Sequence, residues 1–582
     1  MKKIFPIILA SLLVTSCYPL RYHYFGEVPK KPGRYPHFTT KDHLTGYLDK
    51  DRAKYDVTFY DLNLNLEPDK KRLGGEVTIH FNVLEKLKAI RFDLYKNLNI
   101  YSVKFQGKNL HFNRNRRAVY TTFPDSLETG KGYSIEVAYG GRPLKAKNPP
   151  WRGGLVWKKD KNNNHWIGVT CETEGASIWF PCKDHLSDEP DSVRLRMTVP
   201  EGLQVVSNGI MESHTSEPGK EIFTWSTHYP INIYDITFYA GKFEHFSDTL
   251  GTRQGILRLD YYVMPENLEK AKEHFKQVKD VIKIYSKSFG PYPWMKEGFK
   301  LVEGPFEGME HQTAIAIGSG FSNLSFLGGD YIIVHETAHE WWGNAVSVSD
   351  FSDIWLQEGF ATYSEMVFVE NKLGYDASIF YAKNWLAPAI NNKLPVVGPV
   401  GVNYWDYKDV DVYNKGAMIL HTIRNILNDS TLFFDILQTY YREHAALSHV
   451  TTSDFKEVLE RKTGKNWGKF FDEYLYDIRV PVLNWYYGIY DKDSGSDKTK
   501  NVPFVIAKWA NVPEGFVMPV TLDGSDCKVS ATIDVSTKPT LFILKDLLPC
   551  NKVSCNKKRS YFDISSDTTI LKEFETLHAG GK

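Results

Sequence analysis

Two histidines four residues apart, His335 and His339, stand in His335-Glu336-Thr337-Ala338-His339, inside an apolar stretch from Tyr331 to Gly343. Side chains at i and i+4 share one face of a helix, so both imidazoles can turn toward one metal ion. Glu336, one residue further round, can reach a water there. Chance would produce this pattern only about 0.03 times in a chain of this composition. Nineteen residues after His339 comes Glu358, in Trp355-Leu356-Gln357-Glu358-Gly359-Phe360-Ala361, where the next helical pattern starts. Two histidines and one carboxylate leave a fourth position open, which is the donor count of a catalytic zinc. The chemistry this implies is hydrolysis, with zinc lowering the pKa of water toward ~7 and Glu336 acting as the base.

Those residues need elements to hold them, and the pattern of apolar residues changes along the chain. From Tyr55 to about Phe246 the segments are short and alternating, as in Glu76-Val77-Thr78-Ile79-His80-Phe81-Asn82-Val83, which predicts a large antiparallel β-domain. After Met264 helical spacing appears at Leu268 to Phe289, Asp330 to Trp342, Leu356 to Leu373, Tyr413 to Leu427, Thr431 to His444 and Ser453 to Lys462. Strand signal returns after Pro481 and predicts a small β-sandwich. The expected organisation is multidomain α+β: residues 1–17 a lipoprotein signal, 18–54 a linker, 55–247 the β-domain, 248–480 the zinc domain and 481–582 the sandwich.

The composition agrees with a folded multidomain chain: 42% of its 582 residues are hydrophobic and 24% charged, and the mean hydropathy is -0.37. Collagen, wholesale disorder and a polytopic membrane protein are excluded. A formal net charge of +1 supplies no field for nucleic acid, so no nucleic-acid partner is expected. The basic stretch Arg114, Arg116 and Arg117 reads as a solvated hairpin face. At the N-terminus Lys2 and Lys3 precede an apolar run from Ile4 to Val14, too short for the ~20 residues of a membrane span. Val14-Thr15-Ser16-Cys17 follows and resembles a bacterial lipobox, which implies lipidation of Cys17. The expectation is an exported lipoprotein, tethered to a membrane and facing the periplasm or the cell surface. Beyond Cys17 five cysteines remain, an odd number, so at least one thiol is unbridged; the connectivity stays open.

The helix with His335, Glu336 and His339 and the spaced Glu358 resembles the gluzincin aminopeptidases, the family of aminopeptidase N and its leukotriene-hydrolysing relatives. Phe180-Pro181-Cys182-Lys183-Asp184, Ser207-Asn208-Gly209, Gly290-Pro291-Tyr292-Pro293 and Gly308-Met309-Glu310-His311 keep the family's order and spacing, so the likeness covers roughly Tyr55 to Pro481. The resemblance implies a thermolysin-like catalytic domain, one Zn2+ per chain on His335, His339 and Glu358, and peptide substrates with a free N-terminus. It implies that Gly308 and Met309 contact substrate, that Glu310 binds the α-amino group with Glu172 as the second amine-binding acid, and that Tyr413 stabilises the transition state. The sequence departs from the family at Glu307, usually glycine, and at His311, usually asparagine. The chain runs about a hundred residues beyond Pro481, so the family's large C-terminal helical domain is expected to be absent and the site more open. Two alternatives stay open: a catalytically inactive, lipid-anchored peptide-binding protein, and an endopeptidase or other hydrolase on the same fold. Oligomeric state is not readable.

Overall fold

The computed structural model describes residues 33–582 apart from 319, 405–408, 447–448, 491–501, 525–528, 548–549, 551, 556–559, 567 and 580–582. Residues 1–32, with the apolar run and Cys17, and also Cys527 lie outside the described residues. Strand Tyr55–Glu67 is the centre of an eight-stranded sheet. Its inward residues Tyr60, Leu62, Leu64 and Leu66 are each at most 1% exposed, the two-residue period of a half-buried strand. It pairs antiparallel with Arg72–Val83, Leu62 opposite Val77, and parallel with Ser192–Pro200, Leu62 opposite Leu195. The parallel pair departs from the expected all-antiparallel domain. The more than one hundred residues between those strands return the chain to the same sheet in the same direction, a path a hairpin cannot make. A three-stranded sheet and a four-stranded one, the latter ordered Gln204–Ser207, Phe238–Gly241, His165–Thr170, Gly154–Lys159, complete this unit.

Arg117 corrects the solvated-hairpin expectation. It is buried, pairs with Asp184 at 3.2 Å and donates to Glu174 O at 2.7 Å, while Arg114 donates to Leu98 O and Leu94 O; only Arg116 is exposed. Asp184 also accepts the backbone N–H groups of Ala176 and Ser177. The loop that carries Glu172 is therefore pinned from beneath by a buried ion pair. Gly175 is required there: its φ is +84°, and a Cβ would stand 2.2 Å from the Asp184 carboxylate.

The catalytic unit begins earlier than expected. Strand Glu244–Thr252 runs across the expected boundary at 247 and pairs with Gly255–Val263, so the division falls at Lys242-Phe243, between strands of different sheets. Its five-stranded sheet continues with Phe299–Glu303, Ile315–Ile317 and the edge strand Gly308–Met309. Helices Leu268–His274 and Val278–Ser288, joined by a 3-10 turn, form the crossover that makes Gly255–Val263 and Phe299–Glu303 parallel. Three later helices matter most: Tyr331–Ala338 (the histidine helix), Trp355–Leu373 (the glutamate helix) and Asp411–Leu427 (the tyrosine helix).

Beyond Pro481 one four-stranded and one three-stranded sheet are followed by a helix, Thr569–Ala579, which the strand-like reading of the tail missed. This unit docks on the back of the catalytic one. Tyr561 N donates to Thr422 Oγ1 of the tyrosine helix at 2.9 Å, and Asn392 Nδ2 donates to Tyr561 Oη at 2.8 Å. Cys550 is disulfide-bonded, whereas Cys171 and Cys182 are buried thiols. Among the described residues no helix is long and apolar enough to cross a membrane.

Candidate active site

The histidine helix is shorter than its apolar stretch. Asp330 caps its start by accepting from Ile332 N at 2.9 Å, and the α-helix ends at Ala338, with His339 at the C-cap still in helical conformation (φ -63°, ψ -20°). The i, i+4 geometry survives that early end, so both imidazoles leave the same face. After His339 the chain turns: Asn344 N donates to His339 O at 2.9 Å, and Gly343 takes φ +129°. The glutamate and tyrosine helices cross where Gly359 meets Gly416. A Cβ on Gly359 would stand 2.9 Å from Gly416 Cα, and one on Gly416 equally close to Gly359 Cα. That approach sets Glu358, one residue before Gly359, beside Tyr413, whose hydroxyl hydrogen-bonds the Glu358 carboxylate. Gly359→Ala should force the helices apart at a backbone-to-backbone contact. We expect a loss of ~1–3 kcal/mol in stability and at least a tenfold fall in kcat per bound zinc, measured by denaturant unfolding and by turnover normalised to metal content.

Three donor atoms converge from two helices. His335 Nε2 and His339 Nε2 are 3.3 Å apart, and each lies 3.4 Å from Glu358 Oε2. Three vertices of a tetrahedron with such edges sit about 2.0–2.1 Å from its centre, the range of zinc–nitrogen and zinc–oxygen bonds. The proton positions agree. His335 Nδ1 lies 2.7 Å from Glu365 Oε1 and His339 Nδ1 lies 2.8 Å from Trp342 O, both acceptors only. Each ring therefore carries its proton on Nδ1 and turns an Nε2 lone pair inward. Three lone pairs facing one another in a buried site repel unless a cation lies between them. Glu358 Oε2 is accordingly a buried oxygen without a hydrogen-bond donor.

Glu336 lies against the edge strand. A Cβ on Gly308 would come within 2.4 Å of Glu336 Oε1, so the glycine leaves the space that the carboxylate fills. Burial, with Glu310 and Glu358 nearby, pushes the Glu336 carboxyl up to about 8 before the charge of any ion is added. The nine described residues assigned a role from the sequence line one cleft: His335, His339, Glu358, Glu336, Tyr413, Glu310, Glu172, Gly308 and Met309.

At one end of the cleft stand two more buried acids. Glu310 Oε1 accepts from Tyr234 Oη at 3.0 Å, and Glu172, 8% exposed, keeps an Oε1 with no hydrogen-bond partner. Burial and then the Glu310 charge hold the Glu172 carboxyl well above the usual carboxylate range. Burial raises Glu310 as well. A pair of carboxyls in this condition is relieved by a cation between them.

Known proteins place this geometry in a family. The peptidase family M1 domain matches residues 329–474, and the peptidase M1 N-terminal domain matches residues 57–234, together more than half of the chain. The chain belongs to peptidase family M1. It is 25% identical over 495 residues to "Probable aminopeptidase 2" of Sulfurisphaera tokodaii, covering 82% of this chain and 57% of that protein. It is 24% identical over 464 residues to aminopeptidase N of Lactobacillus helveticus, covering 73% and 51%. The M1 chain thus spans about half the length of these curated relatives. An M1 zinc metallopeptidase from Deinococcus radiodurans, crystallised with a Tyr-Ser-Ala substrate, shares the fold with a TM-score of 0.63 at 22% identity, covering 73% of this chain and 95% of that one. The zinc expected from the sequence is the ion that the donor set of this M1 chain fits, one per chain.

Several residues that build the M1 site were not found from the sequence. Glu365, two turns after Glu358 on the same helix, orients His335 and itself accepts from Tyr381 Oη. Its seven-residue spacing from Glu358 was the available signal. Glu340 is wholly buried and accepts from Trp294 Nε1 at 2.7 Å, Thr313 N at 3.0 Å and Asn344 Nδ2 at 3.2 Å; Asn344 Nδ2 also donates to Glu310 O at 2.8 Å. From the β-domain, Asn208 Nδ2 donates to Gln312 O at 2.7 Å and Gly209 N to Thr313 Oγ1 at 2.8 Å. The loop after Glu310 is therefore fixed from both sides. His311 points away from the cleft: its Nδ1–H donates to Tyr239 Oη at 2.6 Å, and it is fully buried. The departure at 311 thus changes the support behind the loop, whereas Glu307 lines the cleft itself.

Proposed function

We propose that the chain is a zinc-dependent aminopeptidase that hydrolyses the N-terminal peptide bond of peptides. The observation that carries this reading is the pair of buried carboxyls, Glu310 and Glu172, in the same cleft as the donor triangle and Glu336. Bound zinc would supply Lewis acidity and a lowered pKa for water. The Glu336 carboxylate takes the proton of the attacking water and returns it to the leaving nitrogen, a role its place in the cleft beside both histidines allows. The Tyr413 hydroxyl, already at the edge of the ligand set, donates to the oxygen on which negative charge develops. Glu310 and Glu172 hold the substrate ammonium and so set the cut one residue from the chain end.

Hydrolysis of an aminoacyl-anilide and of matched free and N-acetylated peptides by the full chain tests this. Free peptides should be cleaved at least tenfold better, and Glu310→Ala should cost about 10- to 150-fold in kcat/KM. Equal cleavage of N-acetylated peptides would favour the endopeptidase alternative, and peptide binding without turnover the inactive one.

We also propose that Cys17 is lipidated and tethers the protein to a membrane, facing the periplasm or the cell surface. The lipobox-like Val14-Thr15-Ser16-Cys17 supports this, together with an apolar run too short to span. Cys17→Ala should move the protein from the membrane to the soluble fraction of lysed cells. Full retention in the membrane would mean another anchor.

A further inference from the structure

Residues 33–54 belong to the stretch expected as a linker, yet they lie packed across both units that build the cleft. Their later part is sunk in the β-domain. Arg52 is buried, donates from Nη1 to Asp184 O at 2.7 Å and pairs with Asp93 at 3.4 Å. His185 Nε2 donates to Gly46 O at 3.1 Å. Asp184 is also the residue whose carboxylate pins the loop of Glu172 from beneath.

The earlier part rests on the catalytic unit, along the loop 391–404 that precedes the tyrosine helix. Gly33 N donates to Lys393 O at 2.8 Å. The rings of Tyr35 and Phe38 each meet Tyr404 edge-on, with centroids 5.6 Å apart. A Cβ on Gly46 would stand 2.5 Å from Val402 Cα, so backbone runs directly on backbone there. That loop in turn sets the start of the tyrosine helix. Asn391 N and Asn392 N donate to the Asp411 carboxylate at 2.8 and 2.7 Å, and Asn391 Nδ2 donates to Asp409 Oδ1 at 3.0 Å. Val410, at the N-cap, has no side-chain acceptor; Asp409 Oδ1 takes the N–H of Asp411 at 3.0 Å instead. Tyr413 stands two residues further on. We propose that residues 33–47 are a strap that seats Tyr413: by holding the loop 391–404 against the β-domain, the strap fixes the first turn of the tyrosine helix relative to Glu172. Tyr35 and Phe38 are positioning residues, acting through Tyr404 and the loop.

The turnover arm of the test rests on the aminopeptidase reading; the exchange arm does not. The Tyr35→Ala, Phe38→Ala variant removes two half-buried rings and leaves the Arg52 anchor in place. Its kcat on an aminoacyl-anilide should fall at least tenfold, with one zinc per chain and KM within threefold, since a shift of about 1 Å at a reacting group can cost ~100-fold. Exchanging the two rings, Tyr35→Phe with Phe38→Tyr, should keep kcat within twofold of wild type. In a Tyr413→Phe background the two alanines should cost less than a further twofold, because the group they position is gone. A tenfold loss in that background, or an unchanged kcat in the wild-type one, overturns the inference while the aminopeptidase reading stands. Hydrogen exchange reads the same strap without turnover. The amides of Tyr413 and Asn414, bonded to Val410 O at 3.1 and 2.8 Å, should exchange at least tenfold faster in the alanine variant, while those of the histidine helix keep their rate. Unchanged exchange at Tyr413 and Asn414, or an equal loss of protection in both helices, overturns it. If the wild-type chain turns over no anilide, the aminopeptidase reading fails and the exchange result alone decides on the strap.

Discussion

Glu336→Gln should lower kcat by about 10³- to 10⁴-fold and leave the zinc content at one per chain. The amide has the shape of the carboxylate and can occupy the same space against Gly308, so packing around the cleft is kept. What it lacks is the capacity to accept a proton from water and give it back to the leaving nitrogen, a step worth up to about four orders of magnitude. KM should move far less than kcat, because Glu336 is assigned no part in holding the ammonium. The measurement is steady-state turnover of an aminoacyl-anilide beside elemental analysis of the same sample. A kcat within tenfold of wild type would assign the proton transfer to another group.

His339→Ala should abolish turnover for a different reason: the ion is lost. Two donors, His335 Nε2 and Glu358 Oε2, remain 3.4 Å apart and cannot complete a tetrahedral set. The expected zinc content after dialysis is below about a tenth of an ion per chain, with activity falling in proportion. Glu365→Gln makes the useful contrast. It keeps all three ligands but replaces the carboxylate that orients His335, so zinc affinity should fall by about 10- to 100-fold and activity should return when zinc is added. Stoichiometric zinc in purified His339→Ala protein would overturn the ligand set.

The contrast between those two variants marks what a sequence makes readable. His335, Glu336, His339 and Glu358 stand out because metal ligation restricts residue type and helical spacing together, and both are properties of a linear string. The alternation that announces strand Tyr55–Glu67 is readable for the same reason. Tyr381, Glu340 and Asn344 carry no local mark, and Glu365 carries only its seven-residue spacing from Glu358. Each matters through a partner distant in sequence, such as Trp294 for Glu340, and a glutamate destined for burial looks like one destined for the surface. Arg117 was misread on that account. The early end of the histidine helix was hidden because Trp341 and Trp342 are as apolar as the residues before them; the turn at Gly343 and Asn344 decides it. The helix Thr569–Ala579 was missed because the short strands before it, the last of them Asp563–Ser566, made its apolar residues look like more of the same.

The bonds from Asn208 and Gly209 to the loop after Glu310 join two units that could otherwise be thought separable. Glu172 and Tyr234 belong to the β-domain and Glu310 to the catalytic unit, so the proposed gauge that says where to cut is divided between two stretches of the chain. Recombination that exchanged the first stretch alone would keep the donor triangle and Glu310 while replacing Glu172 and the bonds that hold the loop after Glu310. On this architecture, selectivity for chain ends can be gained, lost or retuned without touching a zinc ligand.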